Sequence, residues 1–123
     1  MATEAEVSDA DREAILSAAR DYIESWLDGD ADQMGGCLHP DLVKREIEGR
    51  VVDSMSRDDM VAATAKGYGR KHDRPYEMDI LDAYGDMATV RILSAKFMDH
   101  VQVARGEDRW RLVNVLWQRR PGA

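Results

Sequence analysis

Two acidic side chains and one tyrosine in this 123-residue chain have types and surroundings that favour proton-transfer chemistry. Tyr22 lies on an apolar stripe between Ala19 and Trp26, at the three- and four-residue spacing of a helix face. Its hydroxyl is expected to point into the interior and to need a partner there, which could be a ligand. A core tyrosine bonded to a backbone carbonyl is the alternative, and the helix pattern alone favours it.

The two acidic candidates, Asp99 and Glu46, lie in segments with the two-residue period of β-strands. Asp99 falls on the same face as Val101 and Val103, so its carboxyl group is aimed at an apolar interior. Burial would raise its pKa and make it a general base near neutrality or a neutral acid that donates a hydrogen bond. A strand-end aspartate in contact with water is the alternative. Glu46 shares a strand face with Leu42 and Lys44, and for this residue a salt bridge to a basic neighbour is the alternative to a site role.

Metal and cofactor chemistry lack a sequence signal. His39, His72 and His100 do not have metal-ligand spacing, and the lone Cys37 can form neither an internal disulfide nor a zinc-binding cysteine cluster. His39 and His100 also form no convincing catalytic dyad with the acids. The chain has no GxGxxG, P-loop or GxSxG motif. We therefore expect no metal and no cofactor.

Composition excludes some partners. The net charge of -7 and the pI near 4.9 oppose binding to a phosphate backbone, so no nucleic-acid partner is expected. The segment Met1 to Ser8 is acidic and lacks the basic start and apolar stretch of a signal peptide, and no apolar run approaches the length of a membrane span. The sequence thus favours a cytoplasmic protein without a membrane partner.

The pattern along the chain predicts an α+β fold in one domain, residues 1–123. A capping signal at Ser8 opens a long helix that ends at Gly29, Asp30 caps a short second helix, and Ser56 caps a third. Between the second and third helices, Leu42 to Ile47 is a predicted strand. From Tyr76 the period changes to two and predicts four strands. Their alternating residues are Met78 and Ile80; Ala88, Val90 and Ile92; Asp99, Val101 and Val103; Val113, Val115 and Trp117.

The last predicted strand is apolar on both faces. Strict alternation places Trp110, Leu112 and Leu116 on one face and Val113, Val115 and Trp117 on the other. One face would meet the helices, and a second subunit is the simplest cover for the other. A homodimer through the sheet face is therefore expected.

The order of elements resembles the nuclear-transport-factor-2-like superfamily over nearly the whole chain. The landmarks are Gly29-Asp30, the run His39-Pro40-Asp41, the pair Met98-Asp99 and the strand at Trp110. They are most similar to the SnoaL-like and putative lumazine-binding branch. The resemblance implies three N-terminal helices packed in a curved antiparallel sheet that forms a cone, usually dimeric, with a pocket at the open end.

Ketosteroid isomerase belongs to that superfamily, and its pattern implies a role for each candidate. Tyr22 matches the oxyanion-hole tyrosine, Glu46 the general base, with Glu in place of that family's Asp, and Asp99 the protonated acid of the oxyanion hole. Keeping a carboxylic acid neutral in an apolar site is a principle for which that enzyme is itself the standard example.

The favoured function is a small-molecule pocket protein, an isomerase or dehydratase that transfers protons on a small apolar carbonyl compound without a cofactor. Whether it is an enzyme stays open. One alternative is a non-catalytic binding module for a lumazine-like heterocycle, and another is a dimeric interaction domain. The predicted substrate-binding wall consists of Trp26, Met34, Val101, Val115 and Trp117.

Overall fold

A computed structural model describes residues 6–122. Most of the segment Met1 to Ser8, for which the sequence predicts no signal peptide, therefore lies outside the described residues. These residues form three helices: α1 (Asp9–Asp28), α2 (Ala31–Cys37) and α3 (Arg57–Ala65). Within the described part of the chain, no helix combines the length and the apolar character needed to cross a membrane.

The helix boundaries follow from the caps that the sequence predicts. The Ser8 side chain accepts a hydrogen bond from the Asp11 backbone N–H, and Gly29 ends α1 with φ of 71°, a left-handed conformation that glycine adopts without strain. The Asp30 side chain caps α2. Ser56 and Asp59 form a reciprocal capping box at the start of α3. All three predicted helices are confirmed.

Between residues 6 and 122, six strands form one sheet: β1 (Leu38–Ile47), β2 (Val51–Ser56), β3 (Tyr76–Tyr84), β4 (Met87–Ser94), β5 (Phe97–Arg105) and β6 (Trp110–Arg119). Their order is β2-β1-β6-β5-β4-β3. The predicted α+β class is confirmed, but the sheet is mixed rather than antiparallel throughout, because β1 runs parallel to β6. The sequence analysis missed β2, whose residues are mostly exposed and lack alternation.

The helices cover one face of the sheet, which we call the inner face, and the core lies between them. α1 contacts β3, β4, β5 and β6, while α3 contacts β1 and β2. Ile15, Tyr22 and Ile23 of α1 are buried against Val90, Ile92, Val101 and Val115 of the sheet. This packing supplies the apolar burial that stabilises the fold.

The predicted division of β6 into two faces is wrong. The pairing of β5 with β6 shifts after Gln102, so that Val103 pairs with Leu112 and Val113 is the extra residue of a bulge. A bulge reverses the alternation beyond it. Trp110 and Leu112 are consequently buried in the same core as Val115. Leu116 remains on the outer face, 41% exposed.

Candidate functional site

Tyr22 and Asp99 meet in the interior of the fold. The Tyr22 hydroxyl donates a hydrogen bond of 2.8 Å to Asp99 Oδ2. Tyr22 is 2% exposed and Asp99 6%, although their sequence positions differ by 77 residues. The prediction that Asp99 points into an apolar interior agrees with this burial. The Tyr22 hydroxyl therefore donates to a carboxyl group and not to a backbone carbonyl, which was the alternative.

Lys44 completes the cluster, and the sequence analysis gave it no site role. Its Nζ donates a hydrogen bond of 2.8 Å to the Tyr22 hydroxyl. The same Nζ lies 5.2 Å from the ring centre of Tyr22, 5.5 Å from that of Trp26 and 5.3 Å from that of Trp117. The available signal was its strand face: Lys44 alternates with the buried Leu42 and therefore points inward.

Burial dominates the electrostatics of these three groups. Loss of water lowers the pKa of Lys44, and the nearby carboxyl groups of Asp99 and Glu46 oppose this only in part. Loss of water also raises the pKa of Asp99 against the smaller opposing effects of Lys44 and Tyr22. The pKa of Tyr22 is raised as well, first by burial and then by Asp99. The fold thus shifts Lys44 and Asp99 toward their neutral forms and keeps Tyr22 protonated.

Glu46 lies in the same row of the inner face as Asp99. Glu46 pairs with Trp117 across β1 and β6, and Trp117 pairs with Asp99 across β6 and β5. Paired residues share a face, so the two acids flank Trp117 at backbone positions roughly 10 Å apart. The alternative that Glu46 forms a salt bridge to Lys44 or Arg45 is not observed, since the ion pairs among residues 6–122 do not include Glu46.

The predicted wall residues divide into two groups. Trp26 and Trp117 are half-buried and contact Lys44. Met34, Val101 and Val115 are 0% exposed and belong to the core cluster. The two tryptophans and Lys44 therefore form the more accessible side of the cluster, whereas Tyr22 and Asp99 form its closed side.

The segment between α3 and β3 holds this accessible side in place. At Gly69 the chain comes so close to α1 that an added Cβ would lie 2.2 Å from the Trp26 carbonyl oxygen. Arg70 Nε donates a hydrogen bond of 3.1 Å to the Asp28 carbonyl. The His72 ring packs edge-on against Phe97, which packs edge-on against Trp117. One loop thus fixes both tryptophans around Lys44.

The cluster combines groups that recognise a carbonyl compound. The nitrogen of a lysine side chain and a phenol donate hydrogen bonds to a carbonyl or enolate oxygen, and a protonated carboxyl group does the same. Indole faces offer apolar contact to the rest of such a molecule.

Comparison with known structures defines the class of protein. The chain is similar to an NTF2-like protein of unknown function from Silicibacter pomeroyi, with a TM-score of 0.77 and 20% identity over 94% of this chain and 100% of that one. It is also similar to a ketosteroid isomerase-like protein from Erwinia carotovora atroseptica, with a TM-score of 0.71 and 13% identity over 91% of this chain and 98% of that one. A domain with a cystatin-like fold from Nostoc punctiforme gives a TM-score of 0.65 at 18% identity, over 93% and 80% of the two chains. These likenesses establish the nuclear-transport-factor-2-like fold.

The family follows from the sequence itself. Residues 10–118 match the family model described as putative lumazine-binding, so the chain belongs to that family. The resemblance inferred from the landmark residues is confirmed at the level of superfamily and branch. No curated protein matches the chain significantly.

Proposed function

We propose that this protein binds a small, largely apolar carbonyl compound against Lys44, Tyr22 and Asp99 and transfers a proton on it. It would act as a cofactor-independent isomerase or lyase. The observation that supports this most is the placement of the Tyr22 hydroxyl, 2.8 Å from Lys44 Nζ and 2.8 Å from Asp99 Oδ2, in a water-poor interior. Donors that are held in place before the reaction stabilise a developing enolate more than mobile water does.

Glu46 is the proposed base. Its carboxylate would take a proton from the carbon next to the carbonyl group, and the electron pair would move to the carbonyl oxygen. Tyr22 and the neutral form of Asp99 would stabilise that oxygen by hydrogen bonds. Return of the proton to another carbon gives an isomer, and its delivery to a leaving hydroxyl gives a dehydrated product. The position of Glu46, paired with Trp117 across β1 and β6 and near enough to Lys44 to oppose the lowering of that lysine's pKa, supports this role.

A single substitution tests the base. We expect Glu46→Gln to abolish exchange of the α-protons of cyclohexanone for deuterium, followed by NMR in D2O, while Trp fluorescence still reports binding of the ketone. Glu48→Gln is the matched control, because Glu48 is the next acid along the chain and is exposed. Equal exchange by wild type and Glu46→Gln would refute the assignment of the base.

The second candidate function is binding without turnover, of a heterocycle of the lumazine type. The family description and the indole rings of Trp26 and Trp117 support it, since flat heterocycles stack on such rings. This candidate requires the tryptophans but tolerates the loss of Glu46. Lumazine binding that survives Glu46→Gln, together with no exchange by any variant, would favour it over catalysis.

We also propose a homodimer through the sheet, a state that would equally serve an interaction domain. Exposed apolar side chains on the strands support this proposal: Leu81 is 51% exposed, Tyr84 56%, Met87 61% and Leu116 41%. Sedimentation should give a dimer at micromolar concentration, and Leu116→Glu should shift it toward monomer. A wild-type monomer at that concentration would contradict the proposal.

A further inference from the structure

We infer that Lys44 is an imine-forming nucleophile whose Nζ attacks the carbonyl carbon of the small ketone or aldehyde bound at this site. The inference rests on the proposed function for its substrate class. It goes further by assigning a covalent intermediate to Lys44, which the proposed function uses only to bind the substrate.

The partners of Nζ leave its lone pair available when the amine is neutral. Its hydrogen bond goes to the uncharged Tyr22 hydroxyl. The ion pairs found among residues 6–122 involve arginines and His39 but not Lys44. A lysine that only stabilises a fold is normally exposed or paired with a carboxylate. Lys44 is neither exposed nor part of an ion pair.

The environment of Nζ combines desolvation, which favours the neutral amine, with aromatic rings, which stabilise a cation. Desolvation lowers the pKa of Lys44, which increases the fraction able to attack a carbonyl group. Once an iminium ion has formed, the rings of Tyr22, Trp26 and Trp117 stabilise its positive charge through their faces. Lys66 shows the contrast, because it lies 5.9 Å from one exposed ring, that of Tyr68, and is itself exposed.

Tyr22 and Asp99 supply the proton that the step needs. Nζ forms a bond to the carbonyl carbon, and the proton lost from nitrogen ends on oxygen, which gives a carbinolamine. Tyr22 then passes a proton to that hydroxyl and is reprotonated by the neutral carboxyl group of Asp99, whose Oδ2 lies 2.8 Å from the Tyr22 hydroxyl. The C–O bond breaks, water leaves and the nitrogen lone pair completes the C=N bond. The products are an iminium ion and the Asp99 carboxylate, so charge is conserved.

The iminium ion strengthens the proton transfer assigned to Glu46. Nitrogen with a positive charge accepts the electron pair from the α-carbon more readily than a carbonyl oxygen does, and the product is a neutral enamine. Where the substrate has a double bond conjugated with the C=N group, Glu46 returns the proton at the far end of the extended enamine and the double bond moves. Water then attacks the C=N bond, the product leaves as a carbonyl compound and Asp99 regains its proton. The cycle consumes the water that it released.

Reductive trapping tests this inference on the intact protein. The chain is incubated with cyclohexanone and sodium cyanoborohydride near neutral pH, and modified peptides are identified by mass spectrometry. We expect one cyclohexyl adduct at Lys44 in the wild type, its loss in Lys44→Arg and its retention in Lys66→Arg. Mapping of the wild type gives the answer even where Lys44→Arg folds poorly.

Deuterium exchange of the same ketone separates this inference from the proposed function. An adduct at Lys44 and loss of exchange in Lys44→Arg support both. Exchange by the wild type with no preferential adduct at Lys44 overturns the inference and leaves the enolate mechanism in place. An adduct without exchange keeps the nucleophile and overturns the proton transfer. Absence of both overturns both.

Discussion

Two clusters of charged side chains lie against α1, and they respond to their surroundings in opposite ways. One is the site cluster, Lys44, Tyr22 and Asp99. The other, which we call the surface cluster, consists of ion pairs around the β5–β6 turn: Asp11 and Asp86 with Arg105, and Asp108 with Arg111. Residues of the surface cluster also line an open groove of about 580 Å³.

The same residue types are shifted toward neutrality in one cluster and toward ionisation in the other. Hydrogen bonds from Arg111 lower the pKa of Asp108 to about 2, whereas burial raises the pKa of Asp99. Access to water explains the difference. An exposed carboxylate gains an ion-pair partner and keeps its hydration, whereas the buried Asp99 loses more hydration free energy than its attraction to Lys44 restores. Proximity of opposite charge is therefore a weaker marker of a candidate site than desolvation of the charged groups.

The largest effect should come from removing the hydroxyl that joins the site cluster. We expect Tyr22→Phe to lower the free energy of unfolding by about 2 kcal/mol, because Lys44 Nζ and Asp99 Oδ2 each lose their hydrogen-bond partner in a buried environment. Asp108→Asn in the surface cluster should cost far less, since solvent replaces its contacts. Urea denaturation measures both, and equal losses would contradict the distinction between the clusters.

A somewhat smaller effect is expected from crowding the loop that holds Trp26. The Cβ of Gly69→Ala would lie 2.2 Å from the Trp26 carbonyl oxygen, so the loop or the end of α1 must move. We expect a loss of about 1 kcal/mol, at the lower end of the cost of an overcrowded contact, together with a change in Trp fluorescence. Gly49→Ala provides a comparison in a turn where an added Cβ meets nothing within 4 Å, although its φ of 72° imposes a strain of its own. An unchanged fluorescence spectrum in Gly69→Ala would argue against the loop as the support of the site.

The smallest effects are expected in the pH dependence of stability. Asp99 and Asp108 should change the free energy of unfolding in opposite directions as pH rises. The pKa of Asp99 is raised in the fold, so its contribution to the free energy of unfolding is present below 3.8 and is lost as pH rises through its folded value. Asp108, with a folded pKa of about 2, contributes above 3.8 and loses that contribution as pH falls toward 2.

Thermal melts of two variants test the signs. The stability of Asp99→Asn relative to wild type should increase as pH rises. The stability of Asp108→Asn relative to wild type should decrease as pH rises from about 2 to about 4. Solvent screening keeps the Asp108 effect small. Shifts of the same sign in the two variants would remove the contrast that burial creates.

Sequence patterns predicted most of the fold because its boundaries are local. Caps at Ser8, Asp30 and Ser56 and the glycine at position 29 depend only on neighbouring residues. The parallel pairing of β1 with β6 and the bulge at Val113 were missed, because strand pairing is a property of distant segments.

The candidate site was predictable in part. Alternation placed Asp99 on the inner face, and the helix stripe placed Tyr22 there. Lys44 was missed since a lysine in a strand is ordinarily exposed, and the rings that cover it come from α1 and β6, far away in the sequence. A lysine in phase with a buried leucine, here Leu42, is the signal that would have identified it.

The titration of Lys44 tests the central claim most directly. NMR of the side-chain Cε groups over a range of pH distinguishes Lys44 from Lys66, Lys71 and Lys96, all of which are exposed. We predict that Lys44 loses its proton at a lower pH than the other three and that its signal alone shifts when cyclohexanone is added. A Lys44 signal that titrates together with the exposed lysines and ignores the ketone would contradict the account.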